Sequence, residues 1–573
     1  MIRPRLAAAL LVLAAATAHA GDDYDELGRL EREEVDAVLA ERGLAVDRAP
    51  AGKLVRRIIV VTRPVFGEGD GFLRFFNNFH WTSRPRSVAA ELLFDAGTVW
   101  NPVRVEESLR NLHDPLRHNV IVILPVVTGE PASVDALVVT RDIWSLRLNS
   151  NFQTVGTTLT DLTLSLTETN LLGLRKRAAF IFNMDQGAFE IGPLYDDPNL
   201  NGWRWTVRTT LRAIFAREDG DPEGSRSDTV VAYPFRTYSQ RWGASFQVAH
   251  SIGTSRSFEG TDLRLYSTPE TATVAEWRYQ RKQLTTEAEL TAGFGERIVQ
   301  RVGFGHELSL SRPRLPGDFP DDELLRQAFT RDVLPRSELS SALFTRWQLF
   351  TPVYVALRDL STFDFREDYL TGPELEARVS QALELLGSET NFTRFSATAK
   401  WTSGWARGLY RAGVGFAARL EDGRLIDRTY TANGYAASPI IARALRLVAG
   451  VDLDWLEEDE ANRLLVLGGS NGLRGYGINE FAGKARLLGH LELRTRPLHI
   501  LRFYRLGAVA FWDAGDATDT PGALSLKHDI GVGLRSLIPQ LDKLVIRVDW
   551  AFALNGEDAG WPGRISLGVL QVF

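Results

Sequence analysis

"RALRLVAGVDLDW", residues 443–455, reads as a strand with two unlike sides. Leu445, Leu447, Ala449, Val451, Leu453 and Trp455 share one face, opposed by Arg446, Asp452 and Asp454. Alternation with period two sends successive side chains to opposite faces of a sheet. Here one face suits oil and the other suits water. The pattern recurs upstream in "RWTVRTTLRAIF" (204–215), where Trp205, Val207, Leu211, Ala213 and Phe215 oppose Arg204, Thr206, Arg208, Thr210 and Arg212. It recurs downstream in "KLVIRVDWAFAL" (543–554), where Leu544, Ile546, Val548, Trp550 and Phe552 oppose Lys543, Arg547 and Asp549.

Segments of this kind, separated by turns rich in Gly, Pro, Asn and Asp, fill residues 147–573. A soluble β-sandwich also alternates, but this run is far too long for one sandwich, and its aromatics cluster near strand ends as in membrane girdles. A closed barrel is the way such strands satisfy their backbone groups in lipid. The fold class expected is therefore a transmembrane antiparallel β-barrel. Allowing roughly 25 residues per strand and connection gives about sixteen to eighteen strands, within the known range, and about 16 is the number expected.

The N-terminus reads differently. "MIRPRLAAALLVLAAATAHA" has a basic start at Arg3 and Arg5, a short apolar core, and a small-residue end at Ala18-His19-Ala20. Residues 1–20 are read as a signal peptide. Its loss takes the net charge from −6 to −8, which gives no reason to invoke nucleic acid. No later run of about 18 apolar residues exists to make a helical span. With no cysteine there is no disulfide framework or thiolate metal site. The nine histidines are scattered without ligand spacing, so neither a metal nor a cofactor is expected.

Residues 21–53 are expected to form a charged helical segment and linker. Residues 54–146 are expected to form a small α+β domain of order β-α-α-β-β. "LVRRIIVVT" supplies the first strand and "RSVAAELLF" a short helix. Asn101 caps a second helix with Pro102 at its first position, and Val105, Leu109 and Leu112 form its apolar stripe. "NVIVILPVV" and "VDALVVTRDIWSL" supply the last two strands.

This α+β domain followed by a barrel resembles the BamA/TamA outer-membrane assembly superfamily, also called the bacterial surface antigen family. The resemblance is carried by the "GTV…VEESLRNL" run at 97–112, by "LSLTETNLLG" (164–173) and "LYDDPNLNG" (194–202). It is carried most by "LRGYG" (473–477) paired with "AFWDAG" (510–515). These two are similar to the family's V-R-G-F/Y loop motif and its F-x-D-x-G strand motif, with Leu473 in place of the usual Val or Ile. The resemblance implies that residues 54–146 are a single POTRA-like domain and residues 147–573 an outer-membrane barrel. It also implies a loop carrying Arg474, Gly475 and Tyr476 that folds into the barrel, where Arg474 meets Asp513, two residues before Gly515. A single POTRA-like domain sets this chain apart from multi-POTRA assembly machines and two-POTRA secretion transporters. The end of the chain, "GRISLGVLQVF" (563–573), resembles the terminal recognition signal of bacterial outer-membrane proteins through Gly568 and Phe573, although Gln571 breaks its apolar face.

Parity supports part of this without the family. Leu506, Ala508, Ala510 and Trp512 share one face, so Asp513 points the other way, into the lumen. "KARLLGHLELR" (484–494) likewise turns Arg486, His490, Glu492 and Arg494 inward as a charged wall. Glycines 468, 469, 472, 475 and 477 let the loop approach that wall. The residues alone leave open a solvated arginine beside an unrelated lumen aspartate; the resemblance selects the clasp.

The same loop, "LGGSNGLRGYGINEF" (467–481), contains G-x-S-x-G at Ser470. Asp513 and His528 follow it in the chain order of an α/β-hydrolase triad. That elbow needs a strand, a turn and then a helix, and the residues after Gly472 have no helical period. The function expected is therefore noncatalytic. The resemblance implies assistance in inserting β-barrel proteins or in moving polypeptides across a Gram-negative outer membrane, with the N-terminal domain in the periplasm. Implied partners are an unfolded outer-membrane or secreted polypeptide, the lipid bilayer with its lipopolysaccharide, and a periplasmic accessory protein. A passive pore of the same fold is the alternative, and an outer-membrane esterase using Ser470 the remote one.

Overall fold

The computed structural model describes residues 29–67, 80–112, 118–155, 158–363, 366–501, 504–537, 545–556 and 559–569, with a few isolated residues at 24, 27, 74–75 and 77–78. The signal-peptide stretch and Phe573 lie outside the described residues. The chain divides into two units. One comprises residues 1–145 with 170–175, the other residues 146–169 with 176–573.

The first unit is built on helix α1 (Arg29–Arg42), strand β1 (Leu54–Arg63), helices α2 (Pro85–Ala89) and α3 (Pro102–Leu112), and strands β2 (His118–Val127) and β3 (Ser133–Asp142). The sheet order is β1-β3-β2, with β1 parallel and β2 antiparallel to β3. Strand β3 is apolar at both parities, so both of its faces must be covered. Val88, Leu92, Trp100, Val105 and Leu112, from α2 and α3 and the residues that follow α2, pack on Ala136 and Val138. Val35 and Val38 of α1 pack on Leu137 and Val139. The helical segment at 21–53, read from sequence as a separate piece, thus belongs to the same compact unit as the sheet. Asn101 caps α3 as its sequence position suggests, its Oδ1 accepting from the Val103 amide at 3.0 Å.

The second unit is one large antiparallel sheet of 22 strand segments whose last strand, Arg564–Val569, pairs back on its first, Leu146–Val155, closing it into a barrel. Two segments continue a neighbour across a short break: Val353–Arg358 extends Glu338–Phe350, and Leu498–Leu501 extends Ala485–Thr495. That leaves 20 barrel strands among the described residues, more than the roughly 16 expected from sequence. The difference lies in the turns. Phe392–Trp405, Gly408–Glu421 and Arg424–Ala437 are joined by two-residue turns, Ala406-Arg407 and Asp422-Gly423, all four residues having positive φ. Such turns match the twist of a hairpin, and they consume far fewer residues than the allowance made for them.

Strand Ala485–Thr495 shows how alternation becomes architecture. His490, Glu492 and Arg494 are buried inside, whereas Leu491 and Leu493 lie exposed on the outer face. The chain enters the barrel at Leu146, at what we term the near mouth. With strands alternating in direction, residues 458–484 connect two strands at the far mouth. One helix, Glu323–Asp332, interrupts the β pattern there. It is capped by Asp322 and packed through Leu325 and Phe329.

Candidate functional site: an inward loop and its ionic cluster

The far-mouth connection 458–484 turns back into the barrel. A short ladder pairs Leu465–Leu467 with Phe481–Gly483 and forms its stem. The tip is fully buried, with Leu473 at 0%, Arg474 at 1% and Tyr476 at 1% exposure. A collar of Leu467, Leu473, Tyr476, Leu488, Ala517 and Ala553 surrounds it, with Phe481 packed alongside. Leu488 shares its parity with the charged residues of its strand, so it too points inward, where the loop gives it an apolar partner.

The Arg474 guanidinium grips Asp513 as a fork, with Nε donating to Oδ2 and Nη2 to Oδ1, both at 2.8 Å. Nη1 donates to Glu492 Oε1 at 2.8 Å and lies 3.5 Å from Asp549 Oδ2. The guanidinium carbon sits 3.4 Å from the centroid of the Phe511 ring. A planar donor fork fits a carboxylate in two places at once, which a lysine cannot do. The next residue adds a backbone bond, the Gly475 amide donating to Asp529 Oδ2 at 2.9 Å. A Cβ at Gly475 would come within 2.7 Å of the Ala553 amide nitrogen and 2.8 Å of Asp529 Cβ, so the loop can approach this wall only as glycine. Tyr476 finishes the clasp, its hydroxyl donating toward the His528 carbonyl at 3.0 Å and the Asn555 carbonyl at 2.7 Å.

Around this tip the dry cluster widens. Arg494 Nε donates to Glu492 Oε2 at 2.7 Å, Arg535 Nη1 to Asp549 Oδ1 at 2.6 Å, and Arg547 Nη1 to Asp549 Oδ2 at 3.2 Å. Four buried arginines (474, 494, 535, 547) thus meet four buried acids (Glu492, Asp513, Asp529, Asp549). Breaking one such pair leaves a charge stranded away from water, which costs about 3–5 kcal/mol. The arrangement therefore holds the loop strongly.

Of the residues singled out from sequence, Arg474, Gly475, Tyr476, Asp513, Glu492 and Arg494 come together here. Gly515 lies close by, beneath Leu467. Arg486 does not join. It pairs with Asp454, Nη2 to Oδ2, at 2.5 Å. His490 is buried against Gly450, where a Cβ would meet its ring at 2.0 Å. Gly568 faces Arg547 across the adjacent ladder. Asp529, Arg535, Arg547 and Asp549 were not assigned to the site by sequence reasoning, although their inward parity was readable. The aspartate and histidine of the esterase reading do not come together. Asp513 is held by Arg474, whereas His528 stacks on Trp512, whose face points away from the lumen. Among the described residues, no α-helix follows Gly472.

The Omp85 superfamily domain model matches residues 362–569, the span that contains every member of this cluster. The structure is similar to those of BamA from Haemophilus ducreyi lacking POTRA domains 1–3 (12% identity over 91% of this chain and 85% of that chain, TM-score 0.41) and CdiB from Escherichia coli (11% identity, 91% and 77%, TM-score 0.44). CdiB from Acinetobacter baumannii is a further neighbour (12% identity, 90% and 74%, TM-score 0.39). No curated protein matches the chain in sequence.

Proposed function

We propose that this chain is a noncatalytic outer-membrane factor that inserts barrel proteins into the membrane or passes polypeptides across it. The observation that carries the reading is the Arg474 clasp inside the Omp85 domain: a loop from the far mouth, locked into a charged lumen by a buried fork to Asp513. On this reading the apolar outer face lies in lipid, the far mouth faces outward beside lipopolysaccharide, and the first unit lies in the periplasm as a POTRA-like domain. A three-stranded sheet whose edges are β1 and β2 gives an unfolded client a place to add a strand. Backbone hydrogen bonds supply grip there without demanding a sequence. An accessory protein in the periplasm would use the same unit.

Depletion of the protein in cells tests this. The expected result is a lower level of folded barrel or secreted clients, recovered by wild type and not by Arg474→Ala. Unchanged client levels on depletion would sink the assembly reading.

A further inference from the structure

A second hairpin enters the barrel from the other end. Strand Glu338–Phe350 pairs with Arg366–Ala382 until Phe350↔Glu374, where the ladder breaks at Thr351-Pro352. It resumes from Val353↔Thr371 as a separate two-stranded piece. Pro352 cannot donate to a ladder, and Gly372 opposite has φ 94°, with room for no side chain because a Cβ would meet Thr351 Oγ1 at 2.2 Å. These two residues bend the hairpin off the wall and over the lumen.

Its tip leans along the wall onto strands further round the sheet. Leu357 and Leu360 are buried with Leu409, Ala437 and Val448 at the near-mouth ends of their strands. Phe363 is buried with Leu537 and Val545, and its ring tip lies 3.2 Å from the Cβ position of Gly507. Glu367 fixes the turn by accepting from the Leu360 and Thr362 amides at 3.1 Å. Two lumen arginines hold the tip from outside: Arg446 Nη2 donates to the Arg358 carbonyl at 3.4 Å, and Arg494 Nη1 to the Leu360 carbonyl at 3.3 Å. Arg494 is also the arginine that holds Glu492, which holds Arg474. An unbroken chain of bonds therefore runs from the near-mouth hairpin to the far-mouth loop.

We infer that the hairpin strands 353–363 and 366–371 form a gate over the periplasmic mouth, latched to the inward loop through Arg494 and Glu492. Two elements from opposite ends enter the lumen and share one ionic cluster, so the resting barrel is narrowed along the strands they cover. A polypeptide entering from the periplasm must first lift the hairpin, and lifting it removes one contact from the residue that supports the clasp. The gate takes its purpose from the proposed function, but its closure is read by ion flow alone. A barrel that handles no polypeptide would still show it.

The test is conductance of the full-length protein in planar bilayers. Wild type should conduct weakly, and Leu360→Asp with Phe363→Asp, which drives two carboxylates into the buried contacts, should raise conductance several-fold. The chain has no cysteine, so Phe363→Cys with Gly507→Cys introduces the only two thiols. This pair should also conduct more than wild type, return to the wild-type level when bridged by a short cleavable thiol crosslinker, and rise again on cleavage. Wild-type conductance in a carboxylate variant that keeps the heat-sensitive gel mobility of a folded barrel would overturn the gate. So would a failure of the thiols to bridge, or a bridge that forms without changing conductance.

Discussion

The lumen carries two ionic walls, and they differ in burial more than in composition. Along the strands from Arg278–Phe294 to Gly408–Glu421, arginines and glutamates alternate across the ladder. Arg346 pairs with Glu287 and Glu289 at 3.0 and 3.1 Å, Arg378 with Glu287 and Glu307, Arg394 with Glu307, and Arg419 with Glu338 and Glu421. Much of this wall is wet: the side chains of Arg346 and Arg394 are 24% and 42% exposed. On the strands from Ala485–Thr495 to Ile546–Ala553 the same residue types sit under the inward loop, and Arg474, Glu492, Asp513 and Asp549 are at most 1% exposed. Water weakens an ion pair and also forgives its loss; a dry pair forgives nothing. The loop thus turns one half of a charged lumen from a solvated lining into a lock.

Replacing Arg474 breaks the comparison most severely. Arg474→Ala should destabilise the barrel by about 3–5 kcal/mol, because Asp513 and Glu492 lose their guanidinium without gaining water. Loss of amide-exchange protection across 467–481, together with a lower unfolding midpoint, would report it. The double variant with Asp513→Ala should cost little more than Arg474→Ala alone, since both members act on one interaction. Additive costs would show that the fork does not hold the loop.

An intermediate case lies in the first unit, where one buried acid meets two solvent-exposed arginines. Asp135 accepts from Arg56 at 2.9 and 3.0 Å and from Arg57 at 2.6 Å. Burial alone would raise its pKa, but the two arginines outweigh burial and hold it below the usual carboxylate value. A folded-state pKa below the unfolded one means that the stabilisation is complete above the ordinary aspartate range and is lost as pH falls through the lowered value. Amide protection in β1 and β3 should therefore fade on acidification below that range. Asp135→Asn should show reduced protection at neutral pH and a flatter acid profile. An unchanged profile would mean that this pair contributes nothing.

The wet wall should give a smaller response still. Arg346→Gln removes partners from Glu287 and Glu289, but Arg378 also reaches Glu287 and water reaches the site. The expected cost is about 1 kcal/mol or less, seen as a small shift of the unfolding midpoint that shrinks further in high salt. A loss comparable with that of Arg474→Ala would erase the distinction between the two walls.

What was legible in the sequence follows the same division. Alternation exposed the strands and the direction of Asp513, Glu492 and Arg494, because parity is a local property. Strand number was underestimated because turn length is not visible in alternation: Ala406-Arg407 carries no glycine to announce a tight turn. The partners Asp529 and Asp549 shared the correct parity, yet nothing local says which of several inward acids a loop tip will reach. The helix Glu323–Asp332 left a signal that went unused, Asp322 as cap with Leu325, Ala328 and Phe329 at helical spacing. The near-mouth hairpin was the least readable, since Leu357 and Leu360 look like any strand-end residues until Pro352 and Gly372 turn them inward.

The smallest expected effect belongs to Ser470, and its smallness is informative. Ser470 lies in the same glycine-rich loop as Arg474, four residues away, within a motif that spells a nucleophile elbow. An elbow needs a helix after the turn to position its hydroxyl, and it needs a histidine within hydrogen-bond reach that is itself oriented by an acid. Here the turn leads to the buried arginine, the acid is spent on that arginine, and the histidine stacks on an outward tryptophan. Ser470→Ala should therefore leave unfolding, client levels and conductance unchanged while Arg474→Ala alters them. The pair of variants separates a loop that acts through its fold from one that acts through its chemistry. Loss of an ester-hydrolysing activity in Ser470→Ala would reverse that conclusion.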